Sequence, residues 1–94
     1  MATASEAREW APGALRGIID SLYTPFDGPG GETINTDALR GLIRYCLEDL
    51  GHDGIWVGGL VGECWSLSVA ERKQLLEVAV DEARSIRPGV LIEA

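Results

Sequence analysis

The chain has 94 residues, room for at most one small domain. Its 46% hydrophobic and 24% charged residues are ordinary globular composition and exclude a disordered or fibrous chain. Fifteen acids against eight bases give a net charge of -7, and the lack of a Lys/Arg cluster argues against nucleic acid or an anionic membrane surface as a partner.

No apolar run approaches the roughly 20 residues of a transmembrane helix; the longest, residues 55–62, is interrupted by glycines. The N-terminus has neither the basic start nor the apolar stretch of a secretory signal. Cys46 and Cys64 have no framework spacing, so a reducing cytoplasm is the expected setting. One histidine and no Cys-x-x-Cys leave no expected metal site.

In chain order, residues 2–16 are Ala-rich with Glu6, Arg8, Glu9 and Trp10 and read as a short helix. Gly17-Ile-Ile-Asp-Ser-Leu22 is a strand, stopped by Thr24-Pro25-Phe26 because proline cannot donate to a sheet ladder. Residues 27–35 are dense in turn formers and read as a loop. A helix comes next, with Asn35 or Thr36 as N-cap and Asp37 in its first turn. Leu39, Leu42, Ile43, Cys46, Leu47 and Leu50 form one apolar stripe that ends at Gly51, so Cys46 is a core thiol and His52 a loop residue.

Residues 55–57 form a second strand that runs into Gly58-Gly-Leu-Val-Gly-Glu63. Ser68-Val-Ala-Glu71 is a capping box opening a second helix, whose buried side carries Leu75, Leu76, Ala79, Ala83 and Ile86. Pro88-Gly89 ends it, and residues 90–92 begin a third strand. The order βαβαβ predicts an α/β fold with a parallel sheet. All three strands are apolar at consecutive positions, as in sheets covered on both faces. Right-handed crossovers in 1-2-3 order place both helices on one face. Either further chain closes over the other face, as in a (β/α)₈ barrel, or the order is 2-1-3 with one helix per side.

Ligands of parallel α/β folds bind beyond the carboxyl ends of the strands. Of the segments expected there, residues 59–63 are the most informative, because glycines allow tight turns that present bare N–H groups to a carboxylate or phosphate. The alternative is a purely structural turn. A dinucleotide fingerprint would need glycine where Val57 stands, and no Gly-Lys-Ser/Thr ending marks a P-loop.

Gly17-Ile…Thr24-Pro25-Phe26, then Asp53-Gly54-Ile-Trp-Val-Gly-Gly59-x-x-Gly62-Glu63, then Leu67-Ser68-x-x-Glu71-Arg72, resembles the dihydrodipicolinate synthase/N-acetylneuraminate lyase family from about residue 15 to residue 94. The resemblance implies the first three strands and two helices of a (β/α)₈ barrel over residues 15–94, preceded by an N-terminal extension over residues 1–14. It also implies a class I aldolase or related lyase that handles pyruvate or another 2-oxo acid through a lysine Schiff base, without a cofactor, in a homo-oligomer that is commonly a tetramer.

By that resemblance residues Gly59, Leu60, Val61 and Gly62 bind the substrate carboxylate through the N–H groups of Leu60 and Val61, and Thr24 and Glu63 shape the site. The family usually reads Gly-Thr-Thr-Gly-Glu here, and Val61 lacks the hydroxyl that joins a proton relay with tyrosine. Glu63 followed by Cys64 is reminiscent of a hydratase-aldolase branch acting on a more apolar aldehyde. The Schiff-base lysine and catalytic tyrosine are expected downstream, so no catalytic residue is assigned within the chain. Lys73 is a surface lysine, neither Tyr23 nor Tyr45 matches the tyrosine motif, and Trp56 and Trp65 are read as packing residues. On this reading the 94 residues alone are inactive. Two other readings stand beside it: a small anion-binding α/β module, and a non-catalytic, self-associating chain.

Overall fold

The structure is a computed structural model and describes residues 3–14 and 16–94; residue 2 of the predicted first helix and residue 15, the predicted barrel start, lie outside the described residues. Helix α1 spans Ala4–Ala14. The Thr3 hydroxyl accepts from the Glu6 N–H and the Glu6 carboxylate accepts from the Thr3 N–H, a reciprocal cap. Among the described side chains of α1, residues 4–13, none belongs to the hydrophobic core.

Strand β1 is Ile19–Ser21, and the segment after it carries a feature that the residue pattern hides. Across the predicted stop at Phe26 and the predicted loop over residues 27–35, β2 (Phe26–Asp27) pairs antiparallel with β3 (Thr33–Ile34). Two-residue strands are too short to show an alternation, but the hairpin buries Ile34 in the core and brings Phe26 against it.

Helix α2, Thr36–Arg44, is capped by the Asn35 side chain, which accepts from the Ala38 N–H at 3.0 Å. The predicted helix continues to residue 50 in a different form, because Tyr45–Asp49 is a π-turn in which the Leu50 N–H donates to the Tyr45 carbonyl. The wider turn rotates the residues after it, so Leu39, Ile43, Cys46 and Leu47 are buried while Leu50 is exposed, contrary to the regular stripe.

Strand β4 is Gly54–Trp56, a short 3₁₀ turn covers Cys64–Ser66, helix α3 is Val69–Ile86 and β5 is Leu91–Glu93. The Ser68–Glu71 capping box is formed as read from the sequence. Leu75, Ala79 and Ala83 are buried and Ile86 packs against the core, but Leu76 is exposed because it borders an open cleft beside Ala94.

The sheet order is β1-β4-β5, with both pairs parallel, so the 2-1-3 alternative is excluded. The register aligns Asp20, Ile55 and Ile92 on one face, against α2 and α3. Ile19, Gly54 and Leu91, and next to them Ser21, Trp56 and Glu93, lie on the other. Trp56 there is 38% exposed. The expected cover on both faces is therefore absent within the described residues: both crossover helices lie on one side, as right-handed connections in 1-2-3 order require.

Ion pairs tie α2 to α3. The buried Glu82 carboxylate accepts from Arg40 at 3.1 Å and from Arg44, and Arg40 also reaches Asp81 at 2.7 Å. At the opposite end of the sheet from the strand carboxyl ends, Asp20 meets His52 Nδ1 at 2.5 Å, and Arg87 donates to the carbonyls of His52 and Leu47. The loop histidine is thus a packing partner of β1. No helix among the described residues is long and apolar enough to cross a membrane.

Candidate functional site

Because β1, β4 and β5 run parallel, their carboxyl ends open onto one edge. The ladder extends one residue further along that edge: the Leu22 N–H donates to the Trp56 carbonyl and the Val57 N–H to the Glu93 carbonyl. Two segments leave here side by side, residues 23–26 after β1 and residues 58–63 after β4.

The second segment turns at once. Gly58 has φ +66°, a left-handed conformation that glycine adopts without steric cost. Gly62 then folds back against the start of the turn so closely that an added Cβ would lie 3.1 Å from both the Gly58 nitrogen and the Leu22 carbonyl oxygen. A side-chain-bearing residue cannot take that place without moving backbone. The Trp56 indole rests on Gly59, where an added Cβ would meet the ring at 2.7 Å.

Hydrogen bonds fix the rest of the turn. Thr24 is buried, and its hydroxyl donates to the Gly62 carbonyl at 2.8 Å across 38 residues of sequence. The Glu63 N–H donates to the Leu60 carbonyl at 3.2 Å, and the Glu63 carbonyl accepts from Ser66 at 2.9 Å, leading into the 3₁₀ turn. Glu63 itself sits at φ 60°, a conformation that costs a residue with a side chain roughly 1–2 kcal/mol. Its side chain is exposed.

Among the described residues, the N–H groups of Leu60 and Val61 donate to no backbone or side-chain acceptor. Their side chains are 65% and 54% exposed, and Trp65 beyond them is 67% exposed. The turn therefore presents unbonded amide donors within an apolar surround, those of Leu60 and Val61 between the equally unbonded N–H groups of Gly59 and Gly62. Such an arrangement can hold a carboxylate by backbone hydrogen bonds, which are strengthened when the acceptor is charged.

The structure thus brings Gly59, Leu60, Val61, Gly62, Thr24 and Glu63 together at one edge. Tyr23 is exposed at the same edge. Lys73 is exposed on α3 and does not reach the turn's donors; with Arg72 it borders a cleft of about 430 Å³ whose apolar wall includes Val57, Leu75 and Leu76. Tyr45 lies on the π-turn, away from this edge. Trp65, expected as a packing residue, is largely open, and the Cys64 side chain lies outside the described part of the structure. Cys46 is a free, buried thiol pushed up to about 11, first by burial and then by the neighbouring Asp20 carboxylate. The residue read only as site-shaping, Thr24, makes the contact that joins the two segments. Its partner lies too far along the chain for any local pattern to reveal it. Among the described residues no group of three or more His, Cys, Asp or Glu side chains is placed to hold a metal ion.

Comparison with known proteins places this geometry. A sequence model of the dihydrodipicolinate synthetase family matches residues 14–88. N-acetylneuraminate lyase from Salmonella paratyphi B is 41% identical over 71 residues, which cover 76% of this chain and 23% of that protein. Among solved structures, N-acetylneuraminate lyase from Fusobacterium nucleatum complexed with pyruvate superposes with a TM-score of 0.72 at 35% identity, over 85% of this chain and 26% of that one. Dihydrodipicolinate synthase from Aquifex aeolicus gives 0.71 at 31% identity, over 82% and 24%. The chain spans about a quarter of the length of these relatives. The match in sequence and the likeness in backbone agree: the chain belongs to the dihydrodipicolinate synthetase family and has the fold of the N-terminal part of its (β/α)₈ barrel.

Proposed function

We propose that these residues are the opening portion of a Schiff-base-forming lyase or aldolase that acts on pyruvate or another 2-oxo acid. In this reading residues 15–94 form the barrel portion, residues 1–14 are an extension, and the Leu60 and Val61 N–H groups hold the substrate carboxylate. The observation that carries it is the run of unbonded donors, Leu60 and Val61 among them, on a braced turn at the carboxyl edge of a parallel sheet. The pyruvate bound in a relative that is alike in fold and sequence supports the same ligand class.

The nucleophilic attack on the substrate ketone belongs to a lysine and the proton transfer to a tyrosine, both contributed by further chain, in a cytoplasmic homo-oligomer, a tetramer as is common in the family. A lysine that forms a Schiff base needs a lowered pKa and a dry pocket. Lys73 is exposed on α3 at the rim of an open cleft and so is not in a dry pocket. The 94 residues alone are accordingly inactive in the chemical step and supply only the carboxylate end of the site.

The apolar side chains around the donors favour a finer reading, a hydratase-aldolase branch whose second substrate is an apolar aldehyde. Leu60, Val61 and Trp65 offer no hydroxyl to a polyhydroxylated sugar and present apolar surface instead.

The test is reductive trapping. The protein purified from its natural source is incubated with pyruvate and borohydride and its intact mass is measured. The reading expects a polypeptide longer than 94 residues that carries one reduced pyruvate on a lysine. A natural chain of 94 residues with no adduct would end the lyase reading and shift the weight to a small anion-binding module.

A further inference from the structure

The turn over residues 60–63 has four peptide groups with different fates. The peptide unit between Gly62 and Glu63 is bonded at both ends: its carbonyl accepts from the Thr24 hydroxyl and its N–H donates to the Leu60 carbonyl. The N–H groups of Leu60, Val61 and Gly62 are left unbonded among the described residues. Glu63 occupies a left-handed conformation that local sterics disfavour, so something outside the turn must hold it there. Thr24 is the one side chain from another segment that hydrogen-bonds the turn among the described residues, and it does so from a buried position.

We infer that Thr24 is a positioning residue for the amide donors of Leu60 and Val61: its hydroxyl, by fixing the Gly62 carbonyl, holds the turn so that those donors point outward. Thr24 does not touch the ligand. It acts through the peptide unit just beyond the donors and links the end of β1 to the loop after β4. The inference rests on the carboxylate-holding reading for its functional meaning, but the bracing of the turn can be measured without any ligand.

A methyl in place of the hydroxyl keeps the shape of the side chain and removes only the donor, so Thr24→Val isolates the bond. Thr24→Ser keeps the donor and serves as the rescue. Backbone amide exchange of the 94-residue chain is followed by NMR in the wild type and both variants, without ligand and with sodium pyruvate against a sodium chloride control. In Thr24→Val the Glu63 amide exchanges about tenfold faster, the change expected when one buried hydrogen bond is lost, while amides of α3 keep their rates. The pyruvate response of the Leu60 and Val61 amides weakens about fivefold or more, on the same scale. Thr24→Ser stays close to the wild type in both readouts.

Equal Glu63 exchange and equal pyruvate response in Thr24→Val and Thr24→Ser would overturn the inference. If wild-type Leu60 and Val61 do not respond to pyruvate, the carboxylate-holding reading falls, and the exchange comparison still decides whether Thr24 braces the turn. Should Thr24→Val fail to fold, the wild type decides alone. A slowly exchanging Thr24 hydroxyl proton supports the brace, and a hydroxyl proton exchanging at the rate of solvent-exposed threonines overturns it.

Discussion

Cys46 and two glycines carry the sharpest residue-level consequences. The Cys46 thiol is buried between the α2 side of the core and Asp20, and its pKa rises from an ordinary 9.0 to about 11. Above about pH 9 the unfolded chain releases this proton while the folded chain keeps it until about 11. The unfolded state then binds fewer protons, so stability falls as pH rises through that interval. Urea unfolding of the wild type and Cys46→Ala between pH 8 and pH 11 should show the advantage of the wild type shrinking across it; a constant difference would refute the assignment. Gly62 and Gly41 form a second, opposed pair. A Cβ at Gly62 meets only backbone atoms at 3.1–3.2 Å, whereas at Gly41 in α2 it meets nothing within 4 Å. Gly62→Ala should destabilise by about 1–3 kcal/mol through overpacking. Gly41→Ala should stabilise by about 0.5–1 kcal/mol through the lower entropy of the unfolded chain and better helix propensity. Thermal melts of the two variants check both signs.

At the scale of elements, the features legible in the sequence were those that short-range chemistry determines. The cap of α3 is an example: Ser68 accepts from the Glu71 N–H and the Glu71 carboxylate accepts from the Ser68 N–H, a four-residue device visible in the chain itself. Ser68→Ala should cost about 1 kcal/mol in a denaturant titration, and a change below experimental error would show that α3 is held by its packing alone. The strand positions, the Asn35 cap and the glycine turn were readable for the same reason. The π-turn was not, because a stripe at helical spacing looks alike in an α-helix and in one widened by a single turn. The β2–β3 hairpin was hidden by its length, and the exposure of Leu76 by the lack of a neighbour over the cleft at Ala94. The contacts that assemble the site and its support, Thr24 to Gly62 and Asp20 to His52, join residues 38 and 32 apart, beyond any periodicity.

For the whole molecule, the open sheet face decides behaviour in solution. Ile19 and Leu91 flank Gly54 in one row on the side away from both crossover helices, and Trp56 stands in the next row between Ser21 and Glu93, with Tyr23 exposed near the carboxyl edge. An apolar sheet face without cover drives association between copies, and the extent follows concentration by mass action. Each copy also carries a net charge of -7, so the approach of two copies is opposed by like charge that salt screens. Sedimentation velocity of the 94-residue chain should therefore show oligomers that grow with protein concentration and grow further when salt is added at fixed concentration. Trp56→Lys places a charge at the centre of the face without touching the helix-side core, and should reduce association while far-ultraviolet circular dichroism stays that of the folded chain. Association driven instead by pairing of exposed strand edges would survive Trp56→Lys, and a monomer at every concentration and salt level would refute the prediction that this face associates.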